Sequence, residues 1–375
     1  MRRKCDVIVT YCWNRVGYNI LRSLYSHGLN VWVADVSKKN ICSLSKYCAG
    51  SFSYPDPFTE EAAFIECLKH WTAELNPVML LPTHDESQVI MRHRNEFRPE
   101  LIIPYDSADL LEKLSDKAWA TEQAGQAGVP IPKVYDRPED VDVYPCVFKT
   151  VVGNSAKGVY FPRKYEELVR LADDYAGTKT MIEEKVGGRD YSVDCVRWDG
   201  FFKATTYRAL VTKTDGGGTT TQREIVSRPD LEEYAKQLLD FVNYKGVCGL
   251  DFRYDSDTGR AAFIEVNARF TGGLATPITA GFDIPWVLYC LATIGVYDSL
   301  VDIRIGTRTK WILGDVITLV GRAVSGKFNR QELRQALSFS GFDAFDDFRS
   351  DDKRAIAGEM LYYMVKLIKN RKLNP

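Results

Sequence analysis

The chain has 375 residues, 45% hydrophobic and 26% charged, with 49 basic side chains against 50 acidic ones. Such a length exceeds what one hydrophobic core usually fills, so two or three subdomains are expected; the composition excludes a disordered chain, and the balanced charge excludes a dominant nucleic-acid field and points to small-molecule partners. No window approaches the roughly 18 apolar residues of a membrane span, the start MRRKCDVIVTYC is unlike a secretory signal, and nine cysteines without a C-x-x-C pair fit neither a disulfide framework nor a zinc site, so a cytoplasmic setting is expected.

Asp6 to Thr10 reads as a short buried strand, and Val16, Ile20, Leu21 and Leu24 then recur at helical spacing until Gly28 offers a stop. Val31 to Ala34 makes a second strand ending at Asp35, Phe64, Ile65 and Leu68 a helix, and Val78 to Leu81 and Leu101 to Ile103 further strands. Alternating β and α elements predict a parallel sheet over residues 1–112. A dinucleotide site would need glycines at the first strand-to-helix turn, and TYCWNRVG holds only one.

A helix from about Ser115 to Ala127, closed by Gly128, is followed by strands at Cys146 to Val151, Val159 to Phe161, Thr180 to Glu184 and Tyr191 to Val196. The pattern predicts a small α+β unit over 113–187 and a second over 188–300, with a helix near Leu231 to Val242. Residues 301–375 read as a mostly helical extension with a basic end, KLIKNRKLNP, suited to dimerisation or to a partner.

Within GLDFRYDSDTGRAAFIEVNARFTGG, residues 249–273, two alternating runs flank the turn Asp255-Ser256-Asp257-Thr258-Gly259, which predicts a β-hairpin with Asp251 opposite, or nearly opposite, Glu265. Glu265 and Asn267 share a face with Asp251, and facing carboxylates repel unless a cation sits between them. Carboxylates with an amide oxygen are hard donors that suit magnesium. A solvated hairpin face has the same spacing; the sequel Arg269-Phe270-Thr271-Gly272-Gly273, a guanidinium beside a glycine pair, favours a site.

KTVVGNSAKGV, residues 149–159, has the small residues and lysines of a phosphate-binding lid, although it is not a Walker A loop and a plain hairpin turn would look similar. Lys149 follows apolar Val147 and Phe148 and is expected to point into a site, whereas Lys117 by itself reads as solvent-exposed.

Taken in order, SDKAW at 115–119, FKTVVGNSAKGV at 148–159, IEEKVGGRDYSVD at 182–194, and GLDFRYD with FIEVNARFTGG at 249–273 resemble the ATP-grasp superfamily over roughly residues 5–295. The resemblance implies an α/β domain ahead of two α+β subdomains that clasp ATP, and an ADP-forming carboxylate-amine ligase working through an acyl phosphate. It implies that Lys117 and Lys149 contact phosphates or adenine, that Gly153, Ser155, Lys157 and Gly158 belong to the lid, that Glu183, Glu184, Lys185 and Val186 form the adenine hinge, and that Asp190 accepts the ribose. It further implies that Asp251, Glu265 and Asn267 hold magnesium, two ions with manganese able to substitute, and that Arg269, with Lys149, is catalytic. Asp190 stands where a Glu is usual, and being one methylene shorter it makes the ribose role less secure; Lys185 stands where an aromatic residue is common, a change that recognition by backbone should tolerate.

Arg208, the loop Lys213 to Thr221, and Asp85 and Glu86 are candidates to face substrate together with Gly272 and Gly273. If Arg208 clamps a carboxylate and Asp85 or Glu86 receives an amine, an amino acid or amino sugar is the substrate. The alternatives are a bicarbonate-using enzyme of the carbamoyl-phosphate-synthetase or carboxylase kind, a simple kinase, and a non-catalytic ATP-binding regulator.

Overall fold

The structure, a computed structural model, describes residues 4–153, 158–214, 217–298, 302–324 and 330–370. Ser155, Lys157 and Gly216 lie outside them, as does the end of the basic tail.

The first layer runs β1 (Val7–Val9), α1 (Arg15–Ser26), β2 (Val31–Asp35), β3 (Gly50–Ser53), α2 (Glu61–Leu75), β4 (Met79–Leu81) and α3 (Glu86–Arg92), with a parallel sheet in the order β3-β2-β1-β4. Every residue of β1, β2 and β4 is buried, as suits parallel strands covered on both faces. Asn14 starts α1 by accepting from the backbone N–H groups of Val16 and Gly17. The strand expected at Leu101 to Ile103 shrinks to one parallel bridge, Met79 to Ile102. Pro99 and Pro104 flank it, and neither has an N–H with which to lengthen a ladder.

Next come α4 (Ala108–Ser115), α5 (Lys117–Gln126), β5 (Val134–Tyr135), β6 (Cys146–Thr150), β7 (Val159–Tyr160), α6 (Tyr165–Asp174) and β8 (Thr180–Glu184). The strands form an antiparallel sheet, β5-β8-β6-β7, over a small core of Tyr135, Cys146, Phe148, Leu168 and Ile182. Asp116 caps α5 by accepting from the N–H groups of Ala118 and Trp119, which sets Lys117 at the first helical position.

A larger sheet follows, from β9 (Arg189–Trp198), β10 (Phe201–Thr214), β11 (Gly217–Val226), α7 (Pro229–Phe241), β12 (Gly246–Asp255), β13 (Arg260–Asn267), α8 (Ala275–Ala280) and α9 (Ile284–Thr293). The stretch expected as a loop from Lys213 to Thr221 is mostly strand, since β10 runs to Thr214 and β11 resumes at Gly217. The C-terminal segment is helical as expected, with α10 (Ile312–Val324), α11 (Arg330–Leu337) and α12 (Lys353–Asn370), and it adds two short strands, β14 (Arg308–Lys310) and β15 (Ala344–Phe345). The sheet order is β13-β12-β9-β10-β11-β14-β15.

The last helix returns to the first layer. Tyr362 stacks on Trp13 at 4.8 Å, and Gly358 lets α12 approach the backbone of Asn40, where a Cβ would sit 2.4 Å from the carbonyl oxygen. One apolar core joins Val7 and Leu21 of the first layer to Val193, Leu250 and Phe263 of the large sheet. Among the described residues no helix is long and apolar enough to cross a membrane.

Candidate active site

A cleft of about 1260 Å³ is walled by the first layer, the four-stranded sheet and the seven-stranded sheet. Its lining includes Lys117, Lys149, Glu183, Glu184, Lys185, Val186, Asp190, Asp251, Glu265, Asn267, Arg269, Gly272 and Gly273, brought together from segments up to 156 residues apart in sequence, the span from Lys117 to Gly273.

The acidic hairpin is β12 and β13, in which Asp251 pairs with Glu265 and Gly249 with Asn267. The register shifts between Asp251 and Phe252, leaving Ile264 as the extra residue of a bulge, and its carbonyl lies 3.5 Å from Lys149 Nζ. Asn267 Nδ2 donates to Asp251 Oδ2 at 3.3 Å, and Ser192 Oγ donates to Asp251 Oδ1. Burial, then the facing Glu265, pushes the Asp251 carboxyl up to about 8. Across the cleft Lys117 Nζ lies 3.3 Å from Glu265 Oε2 and donates to the Gly153 carbonyl at 2.6 Å. Among the described residues no group of three or more His, Cys, Asp or Glu is arranged to hold a metal. The set consists of two carboxylates and an amide, which fits an ion that keeps water and phosphate oxygens in its other positions.

Lys149 points inward. It pairs with Met181 on β8, and Glu183, two residues along, shares its face; the ammonium meets Glu183 Oε1 at 2.8 Å with both side chains nearly inaccessible, 3% and 4%. Glu183 and Glu184 belong to β8 itself, so only Lys185 and Val186 of the expected hinge lie past the strand. Glu184 is tied to Arg260, Lys185 lies 5.4 Å from the Phe161 ring, and Asp190 pairs with Arg253 at 2.7 Å. Gly158, at φ +76°, has no room for a side chain, since a Cβ would meet Thr150 Oγ1 at 2.7 Å.

Two substrate candidates sit elsewhere than expected. Arg208 is not among the lining residues; it reaches Glu224 on the far face of the sheet, because side chains alternate along β10 and it is Tyr207 that faces the cleft. Glu86 is fully buried beneath the site, where it accepts from the Thr10 hydroxyl at 2.7 Å and from the N–H groups of Thr83 and His84 at 2.8 and 3.0 Å. Burial pushes its carboxyl up to about 7. Asp85 holds Arg269 through Nε at 2.8 Å. Gly273 permits close packing, since a Cβ there would lie 2.3 Å from the Tyr207 hydroxyl.

From the candidate stretch Lys213 to Thr221, Lys213, Gly218, Thr219 and Thr220 line the cleft, whereas several other lining residues had no separate signal. Arg15 follows the helix cap, Arg223 lies on β11, and Trp311, Tyr363 and Lys366 come from the C-terminal segment. Asp194, 2% exposed, accepts from Thr271 Oγ1 at 2.9 Å, and burial pushes its carboxyl up to about 7. A guanidinium directly after an N-cap was the one local hint, at Asn14-Arg15.

The solved structures similar to this one decide the fold. A biotin carboxylase from Campylobacter jejuni, in a β-γ-ATP complex, aligns with a TM-score of 0.68 over 82% of this chain and 75% of its own, at 16% identity. The chain has the ATP-grasp fold. An N5-carboxyaminoimidazole ribonucleotide synthetase, purK, in an ADP complex aligns over 87% and 86% with a TM-score of 0.65 and 16% identity. An L-amino acid ligase from Bacillus licheniformis aligns over 78% and 75% with a TM-score of 0.62 and 15% identity. The family described as "ATP-grasp in the biosynthetic pathway with Ter operon" matches residues 177–314. No curated protein matches the chain. On the ATP-grasp fold of this chain, the cleft lies between the two small sheets and the large one, where the hairpin carboxylates face Lys117 and Lys149.

Proposed function

We propose that the chain is an ADP-forming ligase that phosphorylates a substrate carboxylate with ATP and joins the acyl group to an amine, with an amino acid or amino sugar as substrate. The convergence of Asp251, Glu265, Asn267 and Arg269 on a cleft whose opposite wall carries Lys117 and Lys149 supports this reading. The all-oxygen donor set, and the mutual repulsion of two facing carboxylates, call for a hard divalent cation. Asp251, Glu265 and Asn267 would hold magnesium, one ion or two and replaceable by manganese, and it would supply the charge that draws electrons off the phosphoryl group.

In this reading Lys117 and Lys149 steady the phosphates, the backbone from Glu183 to Val186 reads the adenine edge, and Asp190 accepts the ribose. Ser155 and Lys157, with Gly153 and Gly158, are assigned to the lid by resemblance alone. A carboxylate oxygen attacks the γ-phosphorus and ADP departs. The amine nitrogen then attacks the acyl carbon, phosphate leaves with the C–O electron pair, and the nitrogen gives up a proton. Arg269, aimed by Asp85, stabilises the oxyanion of that second step, a contribution worth about 3 kcal/mol for a preorganised donor. Nine unpaired cysteines, seven of them buried, agree with work in a reducing compartment such as the cytoplasm.

The test is incubation with ATP, magnesium and pooled amino acids, other carboxylates and amines, with product mass spectrometry. ADP, phosphate and a product lighter than its parts by one water are expected. AMP and pyrophosphate would overturn the acyl-phosphate route, bicarbonate-dependent ADP release without an organic acid would favour carboxylase-like chemistry, and tight ATP binding without turnover across the pool would favour a regulator.

A further inference from the structure

At the end of the cleft away from the acidic hairpin, three basic side chains, Arg15, Lys213 and Arg223, gather about one carboxylate. Arg15 Nε and Arg223 Nη1 both reach Asp346 Oδ2, at 3.2 and 2.7 Å, and Asp346 is fully buried. Lys213 Nζ, close by, has no hydrogen-bond partner among the described residues and is shielded from solvent. The Trp311 ring centroid lies 4.3 Å from Lys213 Nζ and 3.7 Å from the Arg15 guanidinium carbon. Glu359 offers little countercharge, since it bonds the Trp311 indole N–H at 3.2 Å and burial beside Asp347 favours its neutral form. A ring face attracts a cation by about 0.5–2 kcal/mol, well short of what a buried ammonium loses by leaving water, so burial and then the neighbouring Arg15 lower the Lys213 ammonium to about 7, and an anion set against it would restore the charge.

Lys213 stands six residues past Tyr207 on β10, and Tyr207 is level with Asp251 through Ser192, so the Lys213 backbone lies ~20 Å along the strand from the acidic hairpin. Between β12, which carries Asp251, and β11, which carries Arg223, lie β9 and β10, so three inter-strand steps of about 4.8 Å put the two backbones ~14 Å apart. Arg15 spans part of that gap by donating from Nε to the Gly272 carbonyl at 3.1 Å, and a side chain at Gly272 would collide with its guanidinium. The two ends of the cleft are therefore continuous but chemically different: acidic at the hairpin, cationic and aromatic at Trp311.

We propose that this end of the cleft binds a second oxyanion of the substrate, a carboxylate or phosphate group remote from the carboxylate that is activated, with Lys213, turned off the Trp311 ring into the cleft it lines, as its direct contact and Arg15 and Arg223 supplying the surrounding positive field. The substrate class is thus a two-ended small anion. The inference rests on the ligase reading for where the activated carboxylate lies, but the cationic site is testable without turnover.

The full chain, saturated with magnesium and ADP, is titrated calorimetrically with α,ω-dicarboxylates from succinate to pimelate against the matching monocarboxylates, and with O-phosphoserine against serine. Wild type is expected to bind at least one two-ended anion tenfold or more tightly than its one-ended match. Lys213→Met should erase that preference, and Lys213→Arg, which keeps the charge, should retain most of it. A preference for dicarboxylates marks a carboxylate site and one for O-phosphoserine a phosphate site. Equal preference in wild type and Lys213→Met, or no preference in wild type, overturns the proposal. Failure of ADP release with a persistent Lys213-dependent preference would sink the ligase reading and leave this site standing; ADP release with no such preference would do the reverse.

Discussion

Replacing Lys149 by Met should unsettle the four-stranded sheet as well as the chemistry. The ammonium and Glu183 Oε1 are 2.8 Å apart with 3% and 4% exposure, and Glu183 Oε2 has no hydrogen-bond partner among the described residues. Removing the lysine strands a buried carboxylate, which costs about 3–5 kcal/mol. If the two α+β subdomains over 113–300 melt together, each kcal/mol moves the thermal midpoint about 2–4 °C for a unit of that size, so Lys149→Met should melt roughly 6–20 °C lower. Burial already pushes the Glu183 carboxyl up, with Lys149 opposing. Without Lys149 the folded-state pKa rises further, protonation relieves the strain as pH falls, and the deficit should be smaller at pH 5 than at pH 8. The double variant Lys149→Met/Glu183→Met removes both charges and should return to within about 1–2 kcal/mol of wild type, because an apolar pair replaces a buried ion pair at little cost. Differential scanning calorimetry without nucleotide reads the stability, and ADP release, which neither variant should show, reads the function. A single variant that melts within 2 °C of wild type, or a double variant no better than the single, would refute the reasoning.

Asp251→Asn should raise the midpoint of the ligand-free chain while weakening magnesium dependence of ADP release by at least ~10-fold, since a buried carboxylate facing Glu265 is kept for binding rather than stability; a lower midpoint would count against that trade. Arg208→Ala should leave kcat/KM within about twofold and stability within about 1 kcal/mol, because its partner Glu224 keeps Arg308 at 2.9 Å and the pair is partly exposed; a large rise in KM would return Arg208 to the substrate site. Burial moves Glu86 from 4.5 to about 7, so the folded chain retains a proton that the unfolded chain loses between those values. Its stabilising contribution is present below about pH 4.5 and disappears as pH rises through 7, roughly 3 kcal/mol in all. Glu86→Gln should therefore lose less stability between pH 5 and pH 8 than wild type, and parallel melting curves would exclude that role.

The hairpin that pairs Asp251 with Glu265 was legible because two alternating runs and a five-residue turn leave few other registers, and Lys149 because a lone charge in an apolar strand has to be aimed somewhere. Short elements were less legible: β3 has one apolar residue in GSFS, and β14 and β15 exist because β11 offers an edge to pair with. Arg208 shows how little separates the two outcomes, since a one-residue change of phase exchanges it with Tyr207 and moves a cation out of the cleft. Local periodicity, caps and turns act over a few residues, and they determined the strands, the helix starts and the facing carboxylates. The joining of Arg15, Lys213, Arg223 and Trp311 into one cationic end was decided only by the tertiary structure, because nothing within a few residues of any of them records the residues it will meet.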